Sequence, residues 1–289
     1  MKNPYLIAGP ALISFSGGRT SAFMLRQILD AHGGALPDDV VVAFANTGKE
    51  REETLRFVHE CGSRWNVRIH WLEWRGGSSG NAEVEYEEVG FNSASRAGEP
   101  FANLIAEKQR LPSGMERWCT RFLKVRVIAA FTKARGWEQG AYTEVIGLRN
   151  DEGLRILKGM EDAEKNGRKL VYPLAKAKVV KANVMDFWSR QNFDLMLEPW
   201  EGNCDLCFLK GRALRRRIIR DNPGAADWWL EQEALRGSSF DLKAPMKKLV
   251  SSVASSPEFW DLPGEEFDAE CGLTCAPADN DNDAQEAAA

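Results

Sequence analysis

With 289 residues, of which 44% are hydrophobic, the chain is long enough to bury a substantial core, as one large domain or as one domain with an extension. No apolar run approaches the roughly 20 residues that span a bilayer, and Gly9-Pro10 interrupts the short N-terminal apolar stretch, so we expect a cytoplasmic protein without a membrane partner. The net charge of −4 argues against wholesale electrostatic binding of nucleic acid but leaves room for a local basic face.

The first predicted strand leads into a glycine-rich turn. The apolar run from Ala11 to Phe15 predicts a buried strand, and a helical pattern from Thr20 to His32 follows the turn almost at once. Backbone N–H groups and the positive end of a helix form a favourable site for an anion, and hydroxyl groups add donors. The turn therefore predicts a phosphate-binding loop, with a simple tight turn between strand and helix as the alternative. Its candidate residues are Ser14, Ser16, Gly17, Gly18, Arg19, Thr20 and Ser21.

Two further strands and a helix continue the same pattern. The β-branched run from Val40 to Phe44 predicts a second buried strand, which ends in a turn over residues 45–48. A charged helix with an apolar stripe is predicted from about residue 50 to 65, and a third strand over 68–74. The order βαβαβ predicts an α/β protein with a parallel sheet, right-handed crossovers and helices on both faces.

A long loop and a charge cluster precede the C-terminal part of the chain. Residues 75–98 are rich in Gly, Ser, Asn and Glu and predict a loop over the carboxyl ends of the strands, where such sheets bind ligands. Further helices and strands are predicted at residues 101–111, 117–136, 143–148, 170–174 and 180–190. The strand over 143–148 ends in a cluster of charged residues that includes Arg149 and Arg155.

The C-terminal part is predicted to be a helical, cysteine-containing extension. Its helices are expected at residues 208–220, 225–236 and 243–253. The predicted division of the chain is 1–200 for the α/β domain, 201–276 for the helical region and 277–289 for an acidic, disordered tail. The helix from Lys210 to Arg220 is strongly basic, which predicts either a docking face for tRNA or DNA phosphates or simply a solvated helix face.

Cysteines provide a second chemical signal. Cys204-x-x-Cys207 lies in a predicted turn before a helix, where both thiols can face one point near the positive helix end. Cys119 is the candidate third thiolate, and Cys271 and Cys275 offer a fourth. Three or four thiolates in a reducing compartment fit a [4Fe–4S] cluster or zinc. Two unrelated buried cysteines beside a redox or structural CxxC turn are the alternative.

These segments resemble, in the same order, the motifs of the phosphoadenosine-phosphosulfate (PAPS) reductase-like family of PP-loop ATP pyrophosphatases. The matching segments are SGGRTS at 16–21, NTGKE at 46–50, WCTRFLK at 118–124, GLRNDE at 147–152 with Arg155, YPL at 172–174, CDLC at 204–207 and ECGL at 270–273. The resemblance covers most of residues 11 to 275. The chain looks like an uncharacterised phage or bacterial branch of that family.

The resemblance implies a Rossmann-like sheet that binds an adenine nucleotide, here ATP with Mg²⁺, with its phosphates on the glycine-rich loop. The residues expected to border the nucleotide beyond that loop are Asn46, Thr47, Gly48, Gly147, Arg149 and Arg155. In the family's reductases a Gly-x-Arg segment and a basic residue after the cysteine motif hold phosphate and sulfate groups. By position these correspond to Arg149, Arg155, Arg121 and Lys124, and arginine forks suit phosphate oxyanions. Surface salt bridges are the alternative for each.

Three departures from the family pattern bear on the reaction. Cluster-containing reductases have a Cys-Cys pair where this chain has Trp118-Cys119, so one cluster ligand must come from elsewhere or from a substrate. Their ECGL motif is followed by histidine and its cysteine attacks the sulfate sulfur, whereas Thr274 and Cys275 follow here. The reductases usually have a degenerate glycine loop, whereas this chain keeps both glycines and the final serine. The intact loop favours a working ATP pyrophosphatase.

Three functions are therefore weighed. The first is an enzyme that adenylates a substrate, such as a tRNA or DNA base, for sulfur transfer from a sulfur donor. The second is a thiol-dependent reductase of PAPS or adenylyl sulfate, with Cys271 as nucleophile and a thioredoxin-like reductant. The third is a nucleotide-binding protein without turnover and with a structural cluster. The expected catalytic residues are Cys271, Arg149 and Lys124, and the expected cluster ligands are Cys119, Cys204, Cys207 and Cys275. Homodimer formation is left open.

Overall fold

The computed structural model describes residues 3–79, 82–198 and 201–255, and its centre is a six-stranded sheet in the order β4-β3-β2-β1-β5-β6. Neighbouring strands pair in parallel, except that β4 is antiparallel to β3. This confirms the predicted α/β fold of the Rossmann-like kind. The strands are β1 (Ala11–Ser14), β2 (Val40–Asn46), β3 (Ile69–Gly76), β4 (Glu85–Val89), β5 (Thr143–Ile146) and β6 (Lys169–Val171).

Helices cover both faces of the sheet. The helices of the described residues are α1 (Arg19–Ala31), α2 (Glu52–Arg64), α3 (Glu99–Lys108), α4 (Trp118–Thr120), α5 (Val127–Ala134), α6 (Gly153–Lys165), α7 (Pro173–Lys176), α8 (Lys181–Trp188), α9 (Arg212–Asp221), α10 (Asp227–Arg236) and α11 (Met246–Ser255). Short 3₁₀ turns occur at Asn150–Glu152 and Pro223–Ala226. None of the helices in the described residues is long and apolar enough to cross a membrane.

Alternating strand residues build two hydrophobic cores, because successive side chains of a strand point to opposite faces. Ile13 and Phe44 pack on one face against α1, α2 and α8. Leu12 and Val41 pack on the other face against α3, α5, α9, α10 and α11. Fully burying a side chain of this kind stabilises the fold by about 1.5–3 kcal/mol. The nearly continuous apolar runs of β1 and β2 follow from burial on both faces.

The C-terminal region completes the second core. Leu206, Phe208 and Trp229 belong to the same buried cluster as Leu12 of the central strand. Residues 201–255 therefore cover one face of the sheet and share its core. The predicted tail over 277–289, together with Cys271 and Cys275, lies outside the described residues.

Two segments differ from the predicted elements. The predicted loop over 75–98 contains β4, an edge strand in which Tyr86 and Val89 stand among glutamates. Charged side chains are common on edge strands because they discourage pairing with strands of other molecules. Here the glutamates obscure the alternation of apolar and polar residues that would predict a strand. The predicted helix over 117–136 is divided into α4, a π-helical turn at Arg121–Arg126 and α5. Single π-helical turns occur frequently at functional sites.

Candidate functional site

The glycine loop, residues 14–21, is shaped by its own side chains. Gly17 has φ +80°, and a Cβ atom there would lie 2.7 Å from Thr54 Cγ2, so the position requires glycine. The Ser21 hydroxyl accepts the Ser16 N–H at 3.2 Å and donates to the Gly18 carbonyl at 3.0 Å. Ser14 ends β1 and is buried, and Gly18 is the extended residue that precedes α1. The loop therefore presents the start of a 13-residue helix at the carboxyl edge of the sheet.

Strand β5 brings the predicted Gly-x-Arg segment to this loop, since β5 pairs with β1. A Cβ atom on Gly147 would lie 3.3 Å from the Ser21 Cα, so glycine allows the close approach. The buried Arg149 guanidinium donates from Nη1 to Thr20 Oγ1 at 3.0 Å and from Nε to Asp151 Oδ1 at 3.1 Å. The structure thus places Arg149 at the first turn of α1, beside the predicted phosphate-binding loop.

Two of the other predicted phosphate-binding arginines, Arg19 and Arg155, have protein partners. The Arg19 side chain points to the segment after α8, where it donates to Asp194 Oδ1 at 2.7 Å and to the Leu197 carbonyl at 3.0 Å. Burial alone would raise the pKa of Asp194, but the hydrogen bonds and charge of Arg19 outweigh it and lower that pKa. Arg155 pairs with Glu152, whose carboxylate also accepts the Arg149 N–H at 2.9 Å. Arg19 offers the loop its backbone N–H, while its guanidinium fixes a distant segment.

The turn after β2 is held by buried polar groups. The Asn46 side-chain amide donates to Glu73 Oε1 at 2.6 Å and to the Ser95 carbonyl at 2.9 Å, and its oxygen accepts the Gly48 N–H at 3.1 Å. Gly48 has φ +77°, and a Cβ atom there would lie 2.9 Å from Pro100 Cδ. Asn46 therefore shapes the edge of the predicted adenosine site through its bonds to neighbouring segments.

Glu50 is a site residue that no sequence prediction assigned. Its side chain is 1% exposed, and its Oε2 accepts the Thr47 N–H at 2.7 Å and the Thr47 hydroxyl at 2.8 Å. Its Oε1 lies 3.4 Å from Lys124 Nζ and 3.9 Å from Cys204 Sγ. Glu50 thus joins the predicted catalytic lysine to the first cysteine of the CxxC pair. A glutamate in the segment NTGKE was the available signal.

The cysteine turn, residues 203–207, packs directly against the glycine loop. The Asn203 side-chain amide donates to the Ser16 carbonyl at 2.7 Å. Two backbone bonds attach the turn to the segment after β2: the Arg51 N–H donates to the Asn203 carbonyl at 2.8 Å, and the Asp205 N–H to the Lys49 carbonyl at 3.0 Å. The structure therefore brings the predicted phosphate loop and the predicted CxxC motif to one site.

A buried lysine holds the cysteine turn through hydrogen bonds to its backbone. Lys210 Nζ donates to the carbonyls of Cys204 and Asp205. Burial lowers the pKa of Lys210, and the nearby thiols of Cys204 and Cys207 oppose that shift. The sequence predicts Lys210 as part of a nucleic-acid docking face, yet the structure uses it inside the site.

Two more basic residues of the predicted docking face are also buried. Arg215 pairs with Asp241, and Arg216 donates to the Ser252 carbonyl at 3.1 Å. Both side chains are directed into the packing between α9 and neighbouring segments. The amphipathic pattern of the helix did not reveal this, because the partners lie more than 20 positions away in the chain.

The predicted metal ligands are only partly assembled by the described residues. Cys204 and Cys207 are half-buried in the cysteine turn, and Cys119 lies on α4, packed against the second core. Within residues 3–79, 82–198 and 201–255, no group of three or more His, Cys, Asp or Glu side chains is arranged to hold a metal ion. The [4Fe–4S] cluster stays a prediction.

Comparison with known proteins gives relatives without an assigned activity. No protein-family model matches the chain. An uncharacterised nin region protein of Escherichia phage lambda is 28% identical over 226 residues, which cover 74% of this chain and 70% of the phage protein. An uncharacterised protein of Methanocaldococcus jannaschii is 28% identical over 132 residues, covering 45% of this chain and 22% of the archaeal protein. The chain is thus similar to phage and archaeal proteins, and its function has to be argued from the site.

Proposed function

We propose that this chain is an ATP-dependent sulfurtransferase that adenylates a nucleic-acid base at the glycine loop and delivers sulfur from the cysteine turn. The observation that supports the proposal is the hydrogen bond from the Asn203 side chain to the Ser16 carbonyl, at 2.7 Å. It places a pair of thiols beside a loop suited to phosphates. This proximity suits a reaction in which the substrate is adenylated at the glycine loop and sulfur from the cysteine turn then displaces AMP.

The nucleotide would be held by groups that are already positioned. The backbone N–H groups in the first turn of α1 would bind the phosphates, and the Thr20 hydroxyl in the same turn accepts a hydrogen bond from Arg149. The Arg149 guanidinium, next to Thr20, supplies a fixed positive charge for the developing negative charge of the leaving pyrophosphate. Mg²⁺ bound to the phosphates would supply further neutralisation.

The proposed reaction has two chemical stages. An oxygen of the acceptor base attacks the α-phosphorus of ATP, the bond to the β-phosphate oxygen breaks, and pyrophosphate leaves. The terminal sulfur of a cysteine persulfide, loaded by a sulfur donor on Cys204 or Cys207, then attacks the activated carbon and displaces AMP. The other thiolate attacks the carrier sulfur, which releases the thiolated base and leaves a disulfide. A thioredoxin-like dithiol reduces that disulfide and completes the cycle.

The first experiment measures pyrophosphate release from ATP, with bulk tRNA or DNA and a persulfide donor, by protein purified without oxygen. We expect release that depends on the nucleic acid and thiolated nucleosides detectable by mass spectrometry. Sulfite release from PAPS in the absence of ATP would instead establish the reductase with Cys271 as nucleophile. ATP binding without either product would support the nucleotide-binding protein without turnover.

A matched pair of variants tests the assigned site. Arg149→Ala should lower ATP affinity by at least tenfold, because it removes the buried guanidinium at the start of α1. Arg155→Ala, six positions away, removes an arginine that pairs with Glu152 and should change ATP affinity much less. Equal losses in the two variants would contradict the assignment.

A further inference from the structure

A second group of positive charges surrounds the phenyl ring of Phe122, on the π-helical turn beside the site. Lys108 Nζ lies 4.3 Å from the ring centre, Arg126 Cζ 4.9 Å and Arg121 Cζ 5.8 Å. We call Lys108, Arg121 and Arg126 the Phe122 cluster. A phenyl ring attracts cations to its face, so one buried ring gathers three positive side chains.

The fold holds these like charges close together. Since each lies within 6 Å of one ring centre, no two of these charged groups can be more than about 12 Å apart, which is comparable to the Debye length of about 8–10 Å. Lys108 Nζ donates to the Ser78 carbonyl, and Arg126 Nη2 donates to the Ala82 carbonyl at 3.1 Å, which fixes two of them. Burial and the neighbouring charge of Arg121 lower the pKa of Arg126. Repulsion of this kind is relieved when a polyanion binds.

The segment that carries the cluster is basic although the chain is acidic. Residues 107–126 contain six basic and two acidic side chains, against a net charge of −4 for the whole chain. Of the two carboxylates, Glu116 pairs with Arg110, and Glu107 accepts the Ser78 N–H. Basic residues are therefore concentrated in this segment of an acidic chain, which is a pattern expected of a nucleic-acid contact.

The helical turn that carries Phe122 also contacts the candidate site. Lys124, two residues after Phe122 on the same π-helical turn, lies 3.4 Å from Glu50. Glu50 in turn lies 3.9 Å from Cys204 Sγ. The helical turn that carries Phe122 is thus also linked to the cysteine turn, through Lys124 and Glu50.

We propose that the Phe122 cluster binds the phosphate backbone of a nucleic-acid strand and leads its target base to the cysteine turn. The inference rests on the proposed function for the reaction at that base. Arginine and lysine bind phosphodiester oxygens through charge-assisted hydrogen bonds, and release of condensed counterions makes such binding dependent on salt. The surface predicted from the sequence, α9, contributes less, because Lys210, Arg215 and Arg216 are buried.

The test measures binding of fluorescently labelled tRNA and of a short DNA duplex by fluorescence anisotropy over a range of salt concentrations. The triple variant Lys108→Ala, Arg121→Ala, Arg126→Ala should bind at least one of the two ligands tenfold or more weakly. The slope of log K against log salt should fall by about one for each phosphate that the variant no longer neutralises. Arg121→Lys, which keeps the exposed charge, should restore most of what Arg121→Ala alone loses.

Arg212→Ala is the matched control, because Arg212 is an exposed arginine at the start of α9. It should leave the affinity and the salt slope nearly unchanged. An equal effect of Arg212→Ala and the triple variant would overturn the proposal, as would failure of the wild-type protein to bind either nucleic acid. ATP affinity and thermal unfolding, measured on the same variants, show whether the fold and the nucleotide site are intact. A failure to bind the nucleic-acid backbone is thereby separated from a failed ATP site.

Discussion

The glycine loop and the cysteine turn share one site but are built by different means. The glycine loop is closed by contacts within itself, such as the bond between Ser16 and Ser21, five positions apart. The cysteine turn is held by partners that are remote in the chain: Asn203 bonds Ser16 across 187 positions, and Cys204 meets Glu50 across 154. One region therefore takes its shape from local sequence, and the other takes it from the assembled sheet.

The difference has an energetic consequence. Closing a loop costs conformational entropy, and this cost grows with the logarithm of the loop length. A contact between remote residues therefore has to offset a larger entropy cost than a contact between neighbouring residues. Regions held by few remote contacts open at lower free energy than the core. We expect the glycine loop to keep its structure whenever β1 and α1 are formed. We expect the cysteine turn to unfold locally while the sheet stays folded.

The largest expected effect is that of Gly17→Ala, which tests whether the glycine loop depends on its own geometry. The new Cβ atom would lie 2.7 Å from Thr54 Cγ2 at a φ of +80°. Overpacking and the unfavourable φ together should lower the free energy of unfolding by about 2–5 kcal/mol in urea titrations.

Gly33→Ala is the control for backbone strain alone. Gly33 has φ +72°, and a methyl group added there would have nothing within 4 Å, so only the cost of the positive φ, about 1–2 kcal/mol, should appear. A loss at Gly17 no larger than that at Gly33 would show that the close packing around the glycine loop is unimportant.

The next effect concerns the remote anchor of the cysteine turn. Glu50→Gln keeps the shape of the side chain but removes the charge that faces Lys124 and the Thr47 donors. Charged buried hydrogen bonds are worth about 1.5–3 kcal/mol each, and we expect a loss within that range in urea unfolding. Glu52→Gln, at an exposed glutamate that pairs with Arg96, should cost less than about 0.5 kcal/mol. Equal losses of unfolding free energy in Glu50→Gln and Glu52→Gln would contradict this prediction.

A smaller effect is expected for Asn203→Ala, which removes the bond between the two regions. Loss of one hydrogen bond should cost about 0.5–1.5 kcal/mol. If the cysteine turn opens separately from the sheet, alkylation of Cys204 and Cys207, followed by mass spectrometry, should accelerate by up to about tenfold while the sheet stays folded. Asn183→Ala, which removes a hydrogen bond to the Val180 N–H at the start of α8, is the control and should leave the alkylation rate unchanged. Unchanged alkylation in Asn203→Ala would mean that the turn is held by other contacts.

The smallest effect concerns acid stability at the opposite edge of the sheet. Buried His70 lies between Glu88 (Nδ1 to Oε1, 2.7 Å) and Arg135 (Nε2 to Nη2, 3.2 Å), and burial lowers the pKa of His70. The unfolded chain, with a histidine pKa near 6.5, then binds more protons than the folded one, so stability falls as pH drops below about 6.5. At pH 6 the loss from this group is less than about 1 kcal/mol.

His70→Gln should remove this part of the acid dependence. Thermal unfolding of wild type and variant at pH 8, 7, 6 and 5.5 checks this prediction. The measurements at pH 8 and 7 are the internal control, because the stability difference between the two proteins should be the same at both values. A parallel fall of both proteins below pH 6.5 would show that His70 does not contribute. Alkylation of the cysteine turn should follow its own pH dependence in both proteins, since His70 lies on the amino-terminal half of β3.

The sequence predicted what depends on neighbouring residues. The apolar runs of β1 and β2 and the glycine turn between β1 and α1 were all located. The role predicted for Arg149 came from the family resemblance and stays a prediction. What it missed depends on distant partners. The guanidinium of Arg19 reaches Asp194 across 175 positions, and nothing near Arg19 in the chain indicates this.

The same reason explains the basic helix and the buried glutamate. The sequence indicated only that this helix is strongly basic, and its packing shows that Arg215 and Arg216 are buried. Glu50 looked like one charge among many in a polar helix start, and its burial follows from the approach of Cys204. The roles assigned to Cys271 and Cys275 stay predictions, because both lie outside the described residues.

The bond between Asn203 and the Ser16 carbonyl makes the two halves of the site a linked equilibrium. If a nucleotide on the glycine loop strengthens the seating of the cysteine turn by some factor, seating of that turn must strengthen nucleotide binding by the same factor. The reactivity of the thiols would then report nucleotide occupancy from a distance. A sulfur carrier would then meet a closed cysteine turn when ATP is bound to the glycine loop and an open turn when it is not.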